Sequence, residues 1–99
     1  MAEIVVFSIN IAKSGMESQL EVLLSSLVAP TTQEAGMIKY ELCRDKRNPR
    51  AFVFHEIWAS QQALDDHLNT SHIAEYRRLA PDMLEHKSLH ITERVAPVR

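Results

Sequence analysis

The sequence predicts a single α+β domain over residues 1–99, with the element order β-α-β-β-α-β. Four segments have the alternation and the β-branched or aromatic residues of strands, two regions carry apolar residues at helical spacing, and no linker separates two cores. With 45% hydrophobic and 24% charged residues, the composition is that of a folded globular chain. In a compact domain this order gives the split βαβ, ferredoxin-like fold, with strand order 4-1-3-2 and both helices on one face of the sheet.

The first two elements are a strand over 3–12 and a helix behind it. Ser14 and Glu17 fit an S-x-x-E capping box, so the helix is expected to begin there. Pro30 is expected to end it near Ala29. Its apolar residues recur every three or four positions, as in a helix with one buried face: Leu20, Leu23, Leu24, Leu27 and Val28.

The rest of the chain reads as a hairpin, a second helical region and a last strand. Strands over 37–44 and 51–59 are joined by a short charged turn and should pair antiparallel. A helix over 61–69 and a further helical piece up to Pro81 precede the last strand, expected over 88–95. Because the strands carry apolar residues on both faces, the face without helices should be covered by a second copy, giving a homodimeric α+β barrel.

Composition excludes several classes of function. Eleven Lys and Arg against thirteen Asp and Glu give a formal charge of −2, whereas a dedicated nucleic-acid binder normally shows a basic excess. The single cysteine, Cys43, can form neither an internal disulfide nor a multi-thiolate metal site. No apolar run has the length of a membrane span, and no leader-like segment precedes the first strand. We therefore expect a cytoplasmic protein that binds neither nucleic acid nor membrane.

The usual cofactor motifs are also missing. The chain has no G-x-G-x-x-G, Walker, H-E-x-x-H or C-x-x-C pattern, and its two glycines cannot build a phosphate-cradling loop. The spacing of the histidines predicts no metal site. We expect no cofactor, so a reaction would depend on acid–base groups and on the reactivity of the substrate itself.

Two titratable residues interrupt apolar surfaces and are the candidate catalytic groups. His67 lies in the apolar stripe of the second helical region, where it is either a general base or a core histidine bound to a backbone carbonyl. Glu56 shares a strand face with Phe52, Phe54 and Trp58. Burial there would raise its pKa and make it a usable proton carrier, unless it forms a structural ion pair.

Further residues are candidates for binding. Trp58 and Tyr40 offer flat apolar surface for a planar ligand, or belong to the core. His72 either lines the same cavity as His67 or faces solvent. The basic turn, with Arg44, Lys46, Arg47 and Arg50, is either solvated or holds an anionic substrate.

The stretches E-A-G-M-I-K-Y-E-L (34–42) and F-V-F-H-E-I-W-A-S-Q-Q-A-L-D-D-H-L-N-T-S-H (52–72) resemble the antibiotic biosynthesis monooxygenase family. The matching positions are Gly36, Tyr40, Glu56, Trp58 and His67. The resemblance implies a dimeric barrel and cofactor-independent oxidation of a quinol or other hydroxyaromatic by O₂. It also implies that His67 or Glu56 is the base, that Tyr40 and Asn10 are polar contacts, and that Trp58 is a wall of the pocket.

Two alternatives stay open at this point. The same scaffold and base would serve an isomerase of a small carbonyl or phosphorylated metabolite, for which the basic turn gives some support. In a ligand-binding or stress-associated dimer without catalysis, His67 and Glu56 would only hold the core together.

Overall fold

A computed structural model describes residues 2–97, which form one antiparallel sheet of four strands with the order β2-β3-β1-β4. The strands are β1 (Ile4–Ala12), β2 (Met37–Arg44), β3 (Ala51–Trp58) and β4 (Leu84–Thr92). The helices are α1 (Glu17–Ser25), α2 (Val28–Thr31), α3 (Gln61–Leu68) and α4 (Ser71–Leu79), and a 3₁₀ turn, Ala80–Asp82, follows α4. The predicted fold and strand order are therefore confirmed.

The core lies between the helices and one face of the sheet. On β1 the even-numbered residues from Val6 to Ala12 point to this face and are buried, and on β3 the same face carries Phe52, Phe54 and Trp58. Leucines of the helical segments cover them: Leu20, Leu23, Leu24, Leu27 and Leu64. Among residues 2–97, no helix combines the length and the apolar character needed to cross a bilayer.

The expected capping box at the start of α1 is wrong. The N-cap is Met16, which makes no side-chain cap bond, and the helix begins at Glu17. Ser14 lies in the turn before it, beside Gly15 with a φ of 89°, so the Ser14 hydroxyl is two residues too early to cap the first turn.

The expectation that Pro30 ends the first helical region near Ala29 is wrong, because Pro30 lies inside α2. It is the third residue of that four-residue helix, where a backbone N–H would have no intrahelical acceptor. The missing N–H of proline therefore costs nothing there.

The last strand begins earlier and ends earlier than the expected 88–95. β4 pairs with β1 from Leu84, opposite Ala12, to Thr92, opposite Val5. It is an edge strand with many exposed polar residues, so the alternation that would reveal its first half is missing. Val95 follows the strand and is 86% exposed.

Candidate active site

Three side chains lie next to one another across the helix-covered face of the sheet. Glu56 on β3 is paired with Tyr40 on β2 and with Val6 on β1. All three line a cavity of about 120 Å³ between the sheet and the helices, and His67 of α3 lines it as well. The structure therefore brings together His67, Glu56 and Tyr40, which lie far apart in the sequence.

Glu56 is a carboxyl group in an apolar environment. The residue is 4% exposed, and its Oε1 accepts a hydrogen bond of 2.9 Å from Nε1 of Trp58, two residues along the same strand face. Burial raises the pKa of Glu56 to about 7, against the opposing effects of the Trp58 hydrogen bond and the positive charge of Lys87. Glu56 can therefore gain or lose a proton near neutral pH.

The His67 ring is packed between aromatic side chains. Its centroid lies 4.6 Å from that of Trp58 and 5.6 Å from that of Tyr40. Burial lowers the pKa of His67, and the hydrogen bond to Glu34 opposes this shift. The same environment thus favours the neutral imidazole and the neutral carboxylic acid.

Glu34 determines which nitrogen of His67 can accept a proton. Nδ1 of His67 lies 2.9 Å from Oε2 of Glu34. A carboxylate can only accept, so Nδ1 carries the hydrogen and donates it. In the neutral ring the lone pair is then on Nε2, which has no hydrogen-bond partner among residues 2–97. His67 and Glu34 therefore form an oriented imidazole–carboxylate pair of the kind that supports a general base.

The position of Glu34 depends on a close approach between the loop before β2 and helix α3. Gly36 has a φ of 80°, and a Cβ at this position would lie 2.6 Å from Cβ of Ala63 on α3. Only glycine permits this approach without displacement. His67 follows Ala63 by one helical turn on the same face, so it meets Glu34, two residues before the glycine.

His72 contacts the same carboxylate oxygen from the other side. Its Nε2 lies 2.6 Å from Oε2 of Glu34, and its side chain is 20% exposed. The turn between α3 and α4 places the two histidines side by side. Thr70 caps α4 by accepting from the N–H of Ile73, and its hydroxyl donates to the carbonyl of His67 over 2.8 Å.

The other predicted site residues lie outside the cavity lining. Trp58 is fully buried and does not line the cavity, but it donates a hydrogen bond to Glu56, which does. Asn10 is also fully buried, and its Oδ1 accepts a 2.5 Å hydrogen bond from the hydroxyl of Tyr76, which lines the cavity. His72 contacts Glu34 and does not line the cavity.

Sequence reasoning missed Glu34 and the groups that β4 and α4 contribute. Glu34 lies in a loop with no local pattern, and only the neighbouring Gly36 indicates a special backbone conformation. Lys87 lies in the part of β4 that was not expected to be a strand. Four polar groups of the cavity lining are not among the candidate site residues that the sequence predicts: Ser8, Tyr76, Arg77 and Lys87.

Two cationic groups border the cavity. Nζ of Lys87 lies 4.5 Å from the centroid of the Tyr76 ring. Desolvation, and then repulsion from Arg77, lower the pKa of Lys87. Among the described residues, Lys87 has no carboxylate within ion-pair distance, whereas Arg77 donates to the carbonyl of Leu68 over 2.9 Å.

The basic turn does not contribute to this cavity. Arg44 forms an ion pair with Glu21, and Arg50 forms one of 2.8 Å with Glu85. No residue of the turn lines the cavity. The anion-binding role considered for it therefore has no connection with His67 and Glu56.

Comparison with known proteins agrees with this fold and defines the family. The family model described as antibiotic biosynthesis monooxygenase matches residues 4–79. The chain belongs to this family, which is of the monooxygenase type.

Solved structures and a curated relative are similar over most of the chain. A Pseudomonas aeruginosa protein of known structure is 29% identical, with 97% of each chain covered and a TM-score of 0.92. A solved antibiotic biosynthesis monooxygenase is 27% identical, covers 93% of this chain and 98% of its own, and has a TM-score of 0.86. An uncharacterised Synechocystis protein is 30% identical over 72 residues, 73% of this chain, which spans about half (49%) of that relative's length.

Proposed function

We propose that this protein is a cofactor-independent monooxygenase that oxidises a quinol or related hydroxyaromatic with O₂. The observation that carries the proposal is the convergence of His67 and Glu56, one favoured as the neutral base and the other as the neutral acid, on one mostly apolar cavity. A group that accepts a proton and a group that returns one are what this oxidation requires of the protein.

The size of the cavity favours a substrate with a single ring. Its volume of about 120 Å³ is close to the roughly 150 Å³ of an apolar cavity known to hold benzene. Its walls include Leu64, Phe54 and the ring of Tyr40, which suit the faces of an aromatic ring. We therefore propose a monocyclic hydroquinone as the substrate class.

The environments of the two groups suggest their roles. Burial raises the pKa of Glu56 and lowers the pKa of His67, so both groups are favoured in their neutral forms. A neutral imidazole can accept a proton, and a neutral carboxylic acid can donate one. His67, with its lone pair on Nε2, is the proposed base, and Glu34 is its positioning residue. Glu56, with a pKa of about 7, is the proposed acid.

The proposed reaction conserves atoms and electrons. Nε2 of His67 takes a hydroxyl proton, and the resulting phenolate transfers one electron to O₂. The semiquinone radical and superoxide then combine in a C–O bond, and the peroxide takes a proton from Glu56. The ring C–H proton passes to the Glu56 carboxylate as the O–O bond breaks, and the departing hydroxide takes the proton held by His67. One hydroquinone and one O₂ give one hydroxyquinone and one water.

Positive groups at the cavity would stabilise the negative charge that develops on the substrate and on oxygen. The Lys87 ammonium has no carboxylate partner among the described residues, and Arg77 lies beside it. Both are exposed residues at the border of the cavity, so water screens part of this stabilisation in the free protein.

The test is oxygen uptake with a panel of monocyclic hydroquinones, without added flavin or metal. We expect consumption by the wild type and a loss of about 10²–10⁴-fold in His67→Ala, the range for removal of a general base. His86→Ala is the control, because His86 is an exposed histidine away from the cavity. Circular dichroism should show that each variant is folded.

Absence of uptake by the wild type would contradict the oxygenase proposal. Equal rates in His67→Ala and His86→Ala would contradict the role of His67. If neither oxygen uptake nor proton exchange occurs, a binding function without catalysis is the better description.

Lys87 favours isomerisation as a second candidate. The Lys87 ammonium, which has no carboxylate within ion-pair distance among residues 2–97, could hold the phosphate or carboxylate of a small carbonyl metabolite, and the same base could move a proton next to the carbonyl. The corresponding experiment is deuterium incorporation from D₂O into phosphorylated keto compounds in the absence of O₂. Exchange that depends on both His67 and Lys87 would support this function.

We also propose that the protein is a homodimer formed by the sheet face without helices. This face carries Phe7, Ile9, Val53 and Ile57, and the Phe7 ring, 38% exposed, stacks on His55 with centroids 5.0 Å apart. A second copy of the same face would remove these side chains from water, which is the main favourable contribution to such an association.

A further inference from the structure

Three metal-ligating side chains meet on the side of His67 that faces away from the cavity. Nδ1 of His67 and Nε2 of His72 lie 2.9 and 2.6 Å from Oε2 of Glu34, and the three atoms all lie within 4.8 Å of one another. The side chains are 3%, 20% and 15% exposed for His67, His72 and Glu34. The group is therefore shielded from bulk water but can be reached at His72.

We propose that Glu34, His67 and His72 form a binding site for a divalent transition-metal ion, with Zn²⁺ as the best match. Zinc binds two imidazole nitrogens and one carboxylate oxygen in many proteins and keeps a fourth position for water. With ligand bonds of about 2.0–2.2 Å in a tetrahedron, neighbouring ligand atoms lie roughly 3.4 Å apart. The two separations from Oε2 would have to open by less than about 1 Å, and the two histidine nitrogens, at most 4.8 Å apart, would have to approach each other by at most about 1.4 Å.

The surrounding structure allows this adjustment. Glu34 belongs to the loop between α2 and β2, and its carboxylate lies at the end of a flexible side chain. The two histidines are held by the α3–α4 turn, where Thr70 bonds to the backbone on both sides. A site with two rigid ligands and one adaptable ligand can close around an ion with little change in the backbone.

The ion would not touch a molecule in the cavity. Glu34 and His72 do not line the cavity, so the imidazole ring of His67 separates the two sites. This arrangement differs from that of an oxygenase iron, which must have a position open to substrate or O₂. The proposed ion therefore acts on His67 rather than on the substrate.

Metal binding would reverse the hydrogen-bonding role of His67. An ion at Nδ1 takes the lone pair of that nitrogen, and the hydrogen of the neutral ring moves to Nε2. Nε2 then donates and can no longer accept a proton. The loss of the catalytic base is a consequence that rests on the proposed function. The binding of the ion does not rest on it.

The experiment measures Zn²⁺ binding by calorimetry to the metal-free, untagged chain, without substrate. We expect one Zn²⁺ per chain in the wild type. His72→Ala and Glu34→Gln should each weaken binding by about 100-fold or more, beyond the usual effect of losing a group that only supports a ligand. His86→Ala, which removes an exposed histidine elsewhere, should bind as the wild type does.

A second measurement, ¹⁵N NMR of the His67 ring, tests the tautomer. The hydrogen should be on Nδ1 without metal and on Nε2 with Zn²⁺. Absence of stoichiometric binding, or equal binding by His72→Ala and the wild type, would overturn the proposal. Neither measurement needs turnover, so a protein that binds Zn²⁺ but consumes no oxygen would contradict only the proposed function.

Discussion

Glu56 and His67 show how one environment affects an acid and a base in opposite ways. Both side chains are almost completely buried, at 4% and 2% exposure, and burial disfavours the charged form of each. The pKa of the carboxyl group rises to about 7, whereas the pKa of the imidazole falls. Two residues that would both be charged in mildly acidic water therefore tend to be neutral together.

The pH dependence of the rate follows from the role of Glu56. As an acid, Glu56 must be protonated, so we expect kcat/KM to fall as the pH rises through about 7. Glu56→Gln should lower the rate by about 10²-fold or more and abolish the fall of kcat/KM above pH 7, because an amide cannot donate a catalytic proton. Steady-state oxygen uptake between pH 5 and 9 provides the measurement.

Glu56→Gln also provides a structural control. The amide oxygen can still accept the hydrogen bond from Trp58, so the variant should keep its fold. A wild-type rate that rises through pH 7 would instead identify Glu56 as the base.

At the scale of elements, the contact between the loop before β2 and helix α3 assembles the site. Gly36 lies against Ala63, and its carbonyl accepts from the N–H of Ala59 over 2.8 Å. This contact brings Glu34 to His67. The Gly-to-Tyr spacing visible in the sequence thus corresponds to a close approach at Gly36 and a cavity wall at Tyr40.

Gly36→Ala should therefore be strongly destabilising. The new Cβ would combine an unfavourable positive φ with a 2.6 Å overlap on Ala63, and we expect a loss of about 2–4 kcal/mol in the free energy of unfolding. Urea denaturation measures this value.

Gly15→Ala is the matched control. Gly15 has a φ of 89° but no atom within 4 Å of an added Cβ, so only the backbone term of about 1–2 kcal/mol should appear. Equal losses in the two variants would show that the contact with α3 contributes nothing.

At the scale of the whole molecule, the sheet has one covered face and one open face. The helices cover the face of Phe52 and Trp58, whereas Phe7 and Val53 lie on the open one. Because a chain of 99 residues buries only a limited share of its surface, a second copy on the open face would add considerably to its stability.

Sedimentation equilibrium should give twice the chain mass of 11.3 kDa at micromolar concentration. Phe7→Glu should shift the equilibrium towards monomer, since it places a charge on the apolar face. Val22→Glu on α1, where the side chain is 71% exposed, should leave the mass unchanged. A wild type that sediments as a monomer would rule the dimer out.

Local residue patterns are sufficient to predict the order of the elements, and with it the sheet order and the face that the helices cover. Periodicity is a local property, so the alternation of β3 and the apolar stripe of α3 are visible without coordinates. The same periodicity identifies His67 and Glu56 as candidates, because each is a titratable residue at a position where the pattern expects an apolar one. Local patterns failed at Ser14 and in the first half of β4, where tertiary pairing determines the boundaries.

Which side chains contact one another in the site depends on how distant parts of the chain pack together. Glu34 is 33 residues from His67 and 38 from His72, in a loop without periodicity, and Lys87 comes from an edge strand with little apolar pattern. Hydrogen bonds and pKa shifts act over a few ångströms in space, whereas a sequence pattern reports only on neighbours along the chain. The partners of a buried base are therefore fixed by the packing of loop, helix and sheet.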